Sequence, residues 1–167
     1  MSRAPIEDDC GIGQALNIVG EWRTLLVLRN LFNGMRTFDA MQSHLGISSS
    51  VLAARLKTLS EAGIVEKRPS PEDGRSHEYR LTDKGLDLYP VLVALLHWGE
   101  KWTPNGRGPR MTLTERATGL PVRDMAVTAQ DGRPLGPREV TPVPGPGASD
   151  YTRVLTARWA NKKEETA

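Results

Sequence analysis

Three consecutive serines, Ser48, Ser49 and Ser50, precede leucines at 52, 56 and 59, and past Gly63 come Lys67 and Arg68. Serine hydroxyls donate to phosphate oxygens or base edges, and Lys and Arg neutralise phosphate, so this stretch carries the chemistry of nucleic-acid contact. Other reactive groups are sparse. The serines have no neighbouring base in sequence and no Gly-x-Ser-x-Gly elbow, which argues against nucleophilic catalysis and against an enzyme. His44 and His97 stand alone, with no second ligand three or four residues away, so neither a metal site nor a cofactor is expected.

The elements that would position these groups can be read from periodicity and caps. "QALNIVG" reads as a short first helix. "EWRTLLVLRNLFNG" reads as a second, apolar over most of its circumference and therefore central to a core. Thr37 can cap a third, with Phe38, Met41 and Leu45 at helical spacing and Gly46 at its end. Ser48 caps a fourth, whose leucines at i, i+4 and i+7 face the core while Ser49, Ser50, Ala53, Ala54 and Lys57 point elsewhere. Two helices joined by the tight "LGIS" turn have helix-turn-helix proportions, and the second of such a pair enters the major groove. Arg36, just before the third helix, suits a phosphate. Arg55, three residues after Leu52, either reaches DNA or pairs internally with Glu61 or Asp39.

The next segment, "GIVEKRPSPEDGRSHEYRLT", reads as strand, turn and strand, with the turn at Asp73-Gly74. Lys67, Arg68, Arg75, His77 and Arg80 concentrate positive charge on this hairpin, although the whole chain carries only +2. A final long helix is expected over "DKGLDLYPVLVALLHWGEKW", kinked at Pro90 and apolar on more than one side. One small domain cannot bury both sides, so a dimer seam shared with Leu16, Ile18 and Val19 of the first helix is expected.

Taken together, "VGEWRTLLVLRNLFNGMRTFDAMQSHLGISSSVLAARLKTLSEAGIVEKR" and "EYRLTDKGLDLYPVLVALLHWGEKW" closely resemble the HxlR-type winged helix-turn-helix transcriptional regulators. The carriers are Trp22 with the leucines after it, Arg36 and Phe38, Gly46-Ile47-Ser48, Val51-Leu52, Arg55-Leu56, Glu61-Ala62-Gly63, and the Tyr-x-Leu-Thr-x-Lys-Gly that ends at Gly85. The resemblance implies a mainly α fold with a β wing, and a homodimer bound to an inverted-repeat operator of double-stranded DNA as a repressor. The alternative is a winged-helix module that binds protein and not DNA. Two departures stand out. Ala53-Ala54 replace a frequent Thr-Gln, leaving only a methyl contact to thymine, and Glu21 replaces a usual lysine, which removes any phosphate contact made there.

Two kinds of signal are open. Several HxlR-type regulators sense electrophiles or oxidants through an N-terminal cysteine, which marks Cys10, although Asp8 and Asp9 beside it disfavour the thiolate. The other is a small-molecule effector held between the winged part and the tail, near Trp98, Trp102 or Trp159.

Composition sets the frame. At 167 residues the chain suits one principal domain with an appendage, and its pI of about 8.8 is only mildly basic. A single cysteine fits a reducing, cytoplasmic setting, and nothing resembles a signal peptide or membrane span. Gly, Pro, Thr and Arg crowd the chain after residue 103, so the expected organisation is an N-terminal arm over 1–9, the winged and dimerising part over 10–103, and a small β-rich extension over 104–167 ending in a short helix.

Overall fold

The structure, a computed structural model, describes residues 10–71 and 76–164, with side chains as far as Trp159. The chain forms two compact units, one running from Ile18 to Met125 and one made by the segments on either side. The division therefore falls beyond the change of composition near 103. Arg110 is a reason for this. Its amide donates to Glu100 Oε2 at 2.8 Å and its guanidinium to the Thr103 carbonyl, so the chain after the last helix of the larger unit is tied back to that helix.

Helix α1 spans Gly11–Val19, α2 Trp22–Phe32, α3 Phe38–Leu45 and α4 Ser49–Glu61. The caps explain the boundaries. Glu21 receives the amides of Arg23 and Thr24 at the start of α2, Thr37 receives that of Ala40, and Ser48 that of Val51. Gly46 ends α3 with φ of 61°, a left-handed turn that a side chain would strain. The core joins Val27, Leu28 and Leu31 of α2, Met41 of α3, and Leu52, Leu56 and Leu59 of α4, closed by Val19, Ile64 and Val65. All three leucines of α4 are at most 2% exposed, as their spacing requires.

Strands β1, Val65–Pro69, and β2, His77–Leu81, form an antiparallel hairpin in which Val65 faces Leu81 and Pro69 faces His77. The root of the hairpin is locked by the segment after it. Thr82 Oγ1 donates to the Gly63 carbonyl at 2.7 Å and receives the Gly85 amide, Lys84 Nζ donates to the Ala62 carbonyl at 2.7 Å, and Gly85 packs directly on Ile64. These contacts satisfy carbonyls at the end of α4 that helix geometry leaves unpaired.

The single kinked helix expected over 83–102 is instead two, α5 (Asp83–Leu86) and α6 (Tyr89–Trp102). In a continuous helix Pro90 would have met the carbonyl of Leu86. It sits in the first turn of α6, where its missing N–H is not needed. The β character expected after residue 104 is confined to two isolated antiparallel bridges, Thr114 with Pro121 and Thr128 with Pro134, each closing a turn. Arg133, Gly136 and Glu139 stabilise the second turn region. The Gly136 amide, then the Arg133 guanidinium, hold the Glu139 carboxyl below its usual range. The described residues end in α7, Asp150–Glu164, with Thr156 buried and Val154 and Trp159 exposed. No helix of the described residues is long and apolar enough to cross a membrane.

The close packing at Gly85 gives a first prediction. A Cβ there would lie 2.3 Å from the Ile64 carbonyl oxygen, a backbone atom that cannot move alone. Gly85→Ala should lower stability by about 1–3 kcal/mol of packing strain, more than the roughly 1 kcal/mol that alanine gains in helix propensity. Urea unfolding at equilibrium would show it as a lower midpoint, and an unchanged or higher midpoint would refute it.

Candidate nucleic-acid interface

Helix α4 divides cleanly between two environments. Opposite the buried leucines, Ser49, Ser50, Ala53, Ala54 and Lys57 are all exposed. With no side chain larger than serine before Lys57 on that face, the helix backbone can approach a ligand closely. Ser48 is partly committed to the fold, since its Oγ receives the Val51 amide at 3.4 Å and lies 3.0 Å from Ser50 Oγ. The start of a helix also gathers unpaired N–H groups and a positive dipole end, which favour an anion beside it. Lys57 stands 3.7 Å from Glu61 one turn on, an exposed pair of little strength.

Arg55 does not share that face. Its Nη1 lies 3.9 Å from Glu21 Oε2 at the start of α2, so the internal pairing is realised, though with Glu21 and not with Glu61 or Asp39. Spacing accounts for this. A residue three after Leu52 and four before Leu59 lies on the flank of the helix next to the core.

Arg36 and Thr37 precede α3 and are exposed. Thr37 caps that helix, while the Arg36 carbonyl receives the Tyr79 amide at 2.8 Å and joins β2 to the turn before α3. The Arg36 guanidinium is 4.0 Å from Glu78. Tyr79 itself packs against the core, and burial pushes its phenol above the usual range, so it stays protonated at neutral pH.

The positive charge of the wing is less concentrated than the run of basic residues suggests. Register puts Glu66 opposite Arg80 and Arg68 opposite Glu78, all on one face. Arg80 bonds Glu78 at 2.9 Å and Arg68 pairs with Glu66 at 2.5 Å, so that face is neutral overall. Lys67 and His77 lie on the other face, both exposed. Among the described residues neither has an ion pair. Arg75, expected in the same cluster, lies outside the described residues.

Cys10 is half-buried immediately before α1, and its carbonyl receives the Gln14 amide. Trp98 and Trp102 are 61% and 62% exposed on α6, and Lys101 lies 5.1 Å from the Trp102 ring. Neither tryptophan lines the apolar groove of this unit. That groove, of about 510 Å³, runs between α2 and α6 and is lined by Trp22, Leu25, Leu96, Met111 and Leu113 among others. His97 Nδ1 receives the Met125 amide and lies 3.5 Å from Asp124, a local tie within the unit. The described residues hold no cluster of three groups able to ligate a metal.

A core-seated helix behind a tight turn, followed by a two-stranded hairpin, defines a winged helix-turn-helix protein. The HxlR-like helix-turn-helix profile matches residues 18–107, and the chain belongs to that family. It is 39% identical over 136 residues to an uncharacterised HTH-type transcriptional regulator of Mycobacterium tuberculosis, covering 81% of this chain and 86% of the relative. That span is longer than residues 18–107, so the likeness includes flanking sequence. Among solved structures, the transcription-factor candidate PA1607 superposes with a TM-score of 0.75 at 37% identity, covering 80% of this chain and 94% of that one. PA1374 from Pseudomonas aeruginosa, also a transcription-factor candidate, gives 0.61 at 34% identity, covering 87% and 99%. The protein is thus a transcriptional regulator by family, and not an enzyme.

Charge pairing on the wing separates its residues by their expected effect. Lys67→Ala should flatten the dependence of DNA affinity on salt by about one unit on logarithmic axes, whereas Arg80→Ala, already bonded to Glu78, should change it by much less. Fluorescence anisotropy with a labelled duplex at several salt concentrations measures both. A larger effect at Arg80 would show that DNA displaces Glu78.

Proposed function

We propose that the protein is a cytoplasmic repressor that binds an inverted-repeat operator as a homodimer and releases it in response to a small molecule. The observation that carries the DNA contact is the division of α4, three buried leucines on one side and an exposed face of serine and alanine on the other. Ser49, Ser50, Ala53, Ala54 and Lys57 then lie in the major groove. Arg36, Thr37, Lys67, Arg75 and His77 meet phosphate, with Arg68 and Arg80 supplying charge already compensated by Glu66 and Glu78. Arg55, turned to Glu21, is not among the base-reading residues. Residues 10–103 serve as the DNA-binding and dimerising part and 104–167 as the extension.

Dimerisation is supported by α6. Val91, Leu95, Trp98 and Trp102 recur at helical spacing and are all 46% exposed or more, an apolar stripe that a lone chain leaves in water. Ile12 and Leu16 of α1 are exposed as well. Control by a small molecule is supported by the groove between α2 and α6, whose volume and apolar lining fall in the range of about 300–1,000 Å³ typical of such sites. The groove supports an effector beside Trp22 in preference to one at Trp98 or Trp102.

Titration of the chain with fragments of its own upstream DNA tests the reading. Tight, salt-dependent binding by a species of two chains is expected, with half-sites roughly 34 Å apart. Binding to protein targets but to no duplex would favour the interaction module. Val91→Glu should yield monomers and weaken operator binding by at least about a hundredfold, because the second half-site is no longer tethered to the first. Sizing and anisotropy on the same sample check this, and a dimer of undiminished affinity would move the seam off α6. With the groove as the sensor, a thiol oxidant should leave operator occupancy unchanged in both the unaltered chain and Cys10→Ser. Release by oxidant that Cys10→Ser abolishes would transfer sensing to the thiol.

A further inference from the structure

One carboxylate at the start of α2 gathers three hydrogen-bond donors and a second guanidinium. Glu21 Oε2 receives the amides of Arg23 at 2.9 Å and Thr24 at 3.3 Å, and its Oε1 receives the Arg23 guanidinium at 3.1 Å. Arg55, from the middle of α4, brings Nη1 to 3.9 Å from the same Oε2. Two cations and the positive end of a helix therefore surround a single internal anion. Without it they would present a site suited to phosphate.

Arg55 is the member with a choice. It lies on the flank of α4, between the leucine side and the exposed serine-alanine face, with its side chain 30% exposed. Its Nε is buried without a hydrogen-bond partner, so this pose does not use all of its donors. Nothing but Glu21 holds its guanidinium by charge among the described residues. A long side chain on a helix flank turns toward the strongest anion within reach, and a DNA phosphate beside α4 would compete for it. The Glu21 carboxylate opposes that exchange twice, by attracting Arg55 and by repelling a phosphate that nears the start of α2.

We infer that Glu21 is a positioning residue for DNA recognition: it holds Arg55 against α2, keeps that guanidinium off the phosphates, and ties the recognition helix to the start of its neighbour. The inference rests on the DNA-binding reading above. It makes the strength and salt dependence of binding depend on a residue that does not touch DNA.

Glu21→Gln separates the charge from the cap, because the amide oxygen of glutamine can still receive the amides of Arg23 and Thr24. Four proteins are compared for binding to the upstream duplex across a range of salt: the unaltered chain, Glu21→Gln, Arg55→Ala and the double variant. Glu21→Gln should bind more tightly at low salt, with a slope steeper by about one unit as the freed Arg55 joins the phosphate contacts. Arg55→Ala alone should leave the slope unchanged, and in the double variant it should remove the added unit. A slope flattened by Arg55→Ala alone would show that Arg55 already meets DNA, and an unchanged slope in Glu21→Gln would show that the charge withholds nothing. Either overturns the inference. Urea unfolding of the same four proteins, without DNA, should be non-additive, and additivity would dissolve the pair itself. If the unaltered chain binds no duplex, the regulator reading fails and this role of Glu21 with it, while the unfolding cycle still reports whether the pair exists.

Discussion

The contact of Gly85 with the Ile64 carbonyl fixes the geometry on which the interface depends. At that point α4 has just ended, β1 is beginning and the chain returning from β2 turns into α5. Three elements meet within the width of one backbone, and only a residue without a side chain fits. Thr82 and Lys84 complete the junction by bonding the Gly63 and Ala62 carbonyls. The wing is therefore joined to the end of α4 by hydrogen bonds to backbone carbonyls and not through side-chain packing alone. At its other edge, Tyr79 bonds the Arg36 carbonyl, so the hairpin is also fastened to the turn before α3. Helix, turn and wing are set at fixed positions relative to one another before any DNA is present, which lowers the ordering cost of binding.

Much of this was legible in the sequence because it is local. Thr37, Gly46 and Ser48 act within four residues of themselves, and the leucines of α4 are placed by helical period alone. The Tyr-x-Leu-Thr-x-Lys-Gly run could be recognised as a family trait, but the work of its parts could not be read from it. Tyr79 and Leu81 pack on the core, while Thr82, Lys84 and Gly85 act on carbonyls about twenty residues earlier in the chain.

The same distinction explains what the sequence misled on. Pro90 was visible, but whether a proline kinks a helix or begins one depends on whether the preceding turn has other uses for its carbonyls, and those of Asp83 and Gly85 already receive the amides of Asp87 and Leu88 where α5 ends. Arg55 was visible as a flank residue, yet its partner Glu21 is thirty-four positions away. The one hint was that an acid stood directly before a helix start, where a carboxylate is favoured on electrostatic grounds. The turn segments after residue 104 have the punctuation of β structure, but each forms only a single bridge, with no further strand among the described residues to extend it.

Electrostatics then shapes what kind of DNA contact this surface can make. Counting basic residues treats each as a free charge, but Arg68, Arg80, Lys57 and Arg55 each stand beside a carboxylate of the same chain. Those carboxylates act as built-in counterions. A phosphate that displaces one must leave a carboxylate near the DNA, so the gain from each new contact is reduced by the repulsion it exposes. Sequence-independent attraction, which depends on the number of uncompensated cations, is thereby held down, while close approach by the small face of α4 is unaffected. On the proposed reading, in which α4 meets the groove, a surface built this way discriminates by fit more than by charge, in keeping with a chain whose net charge is only +2.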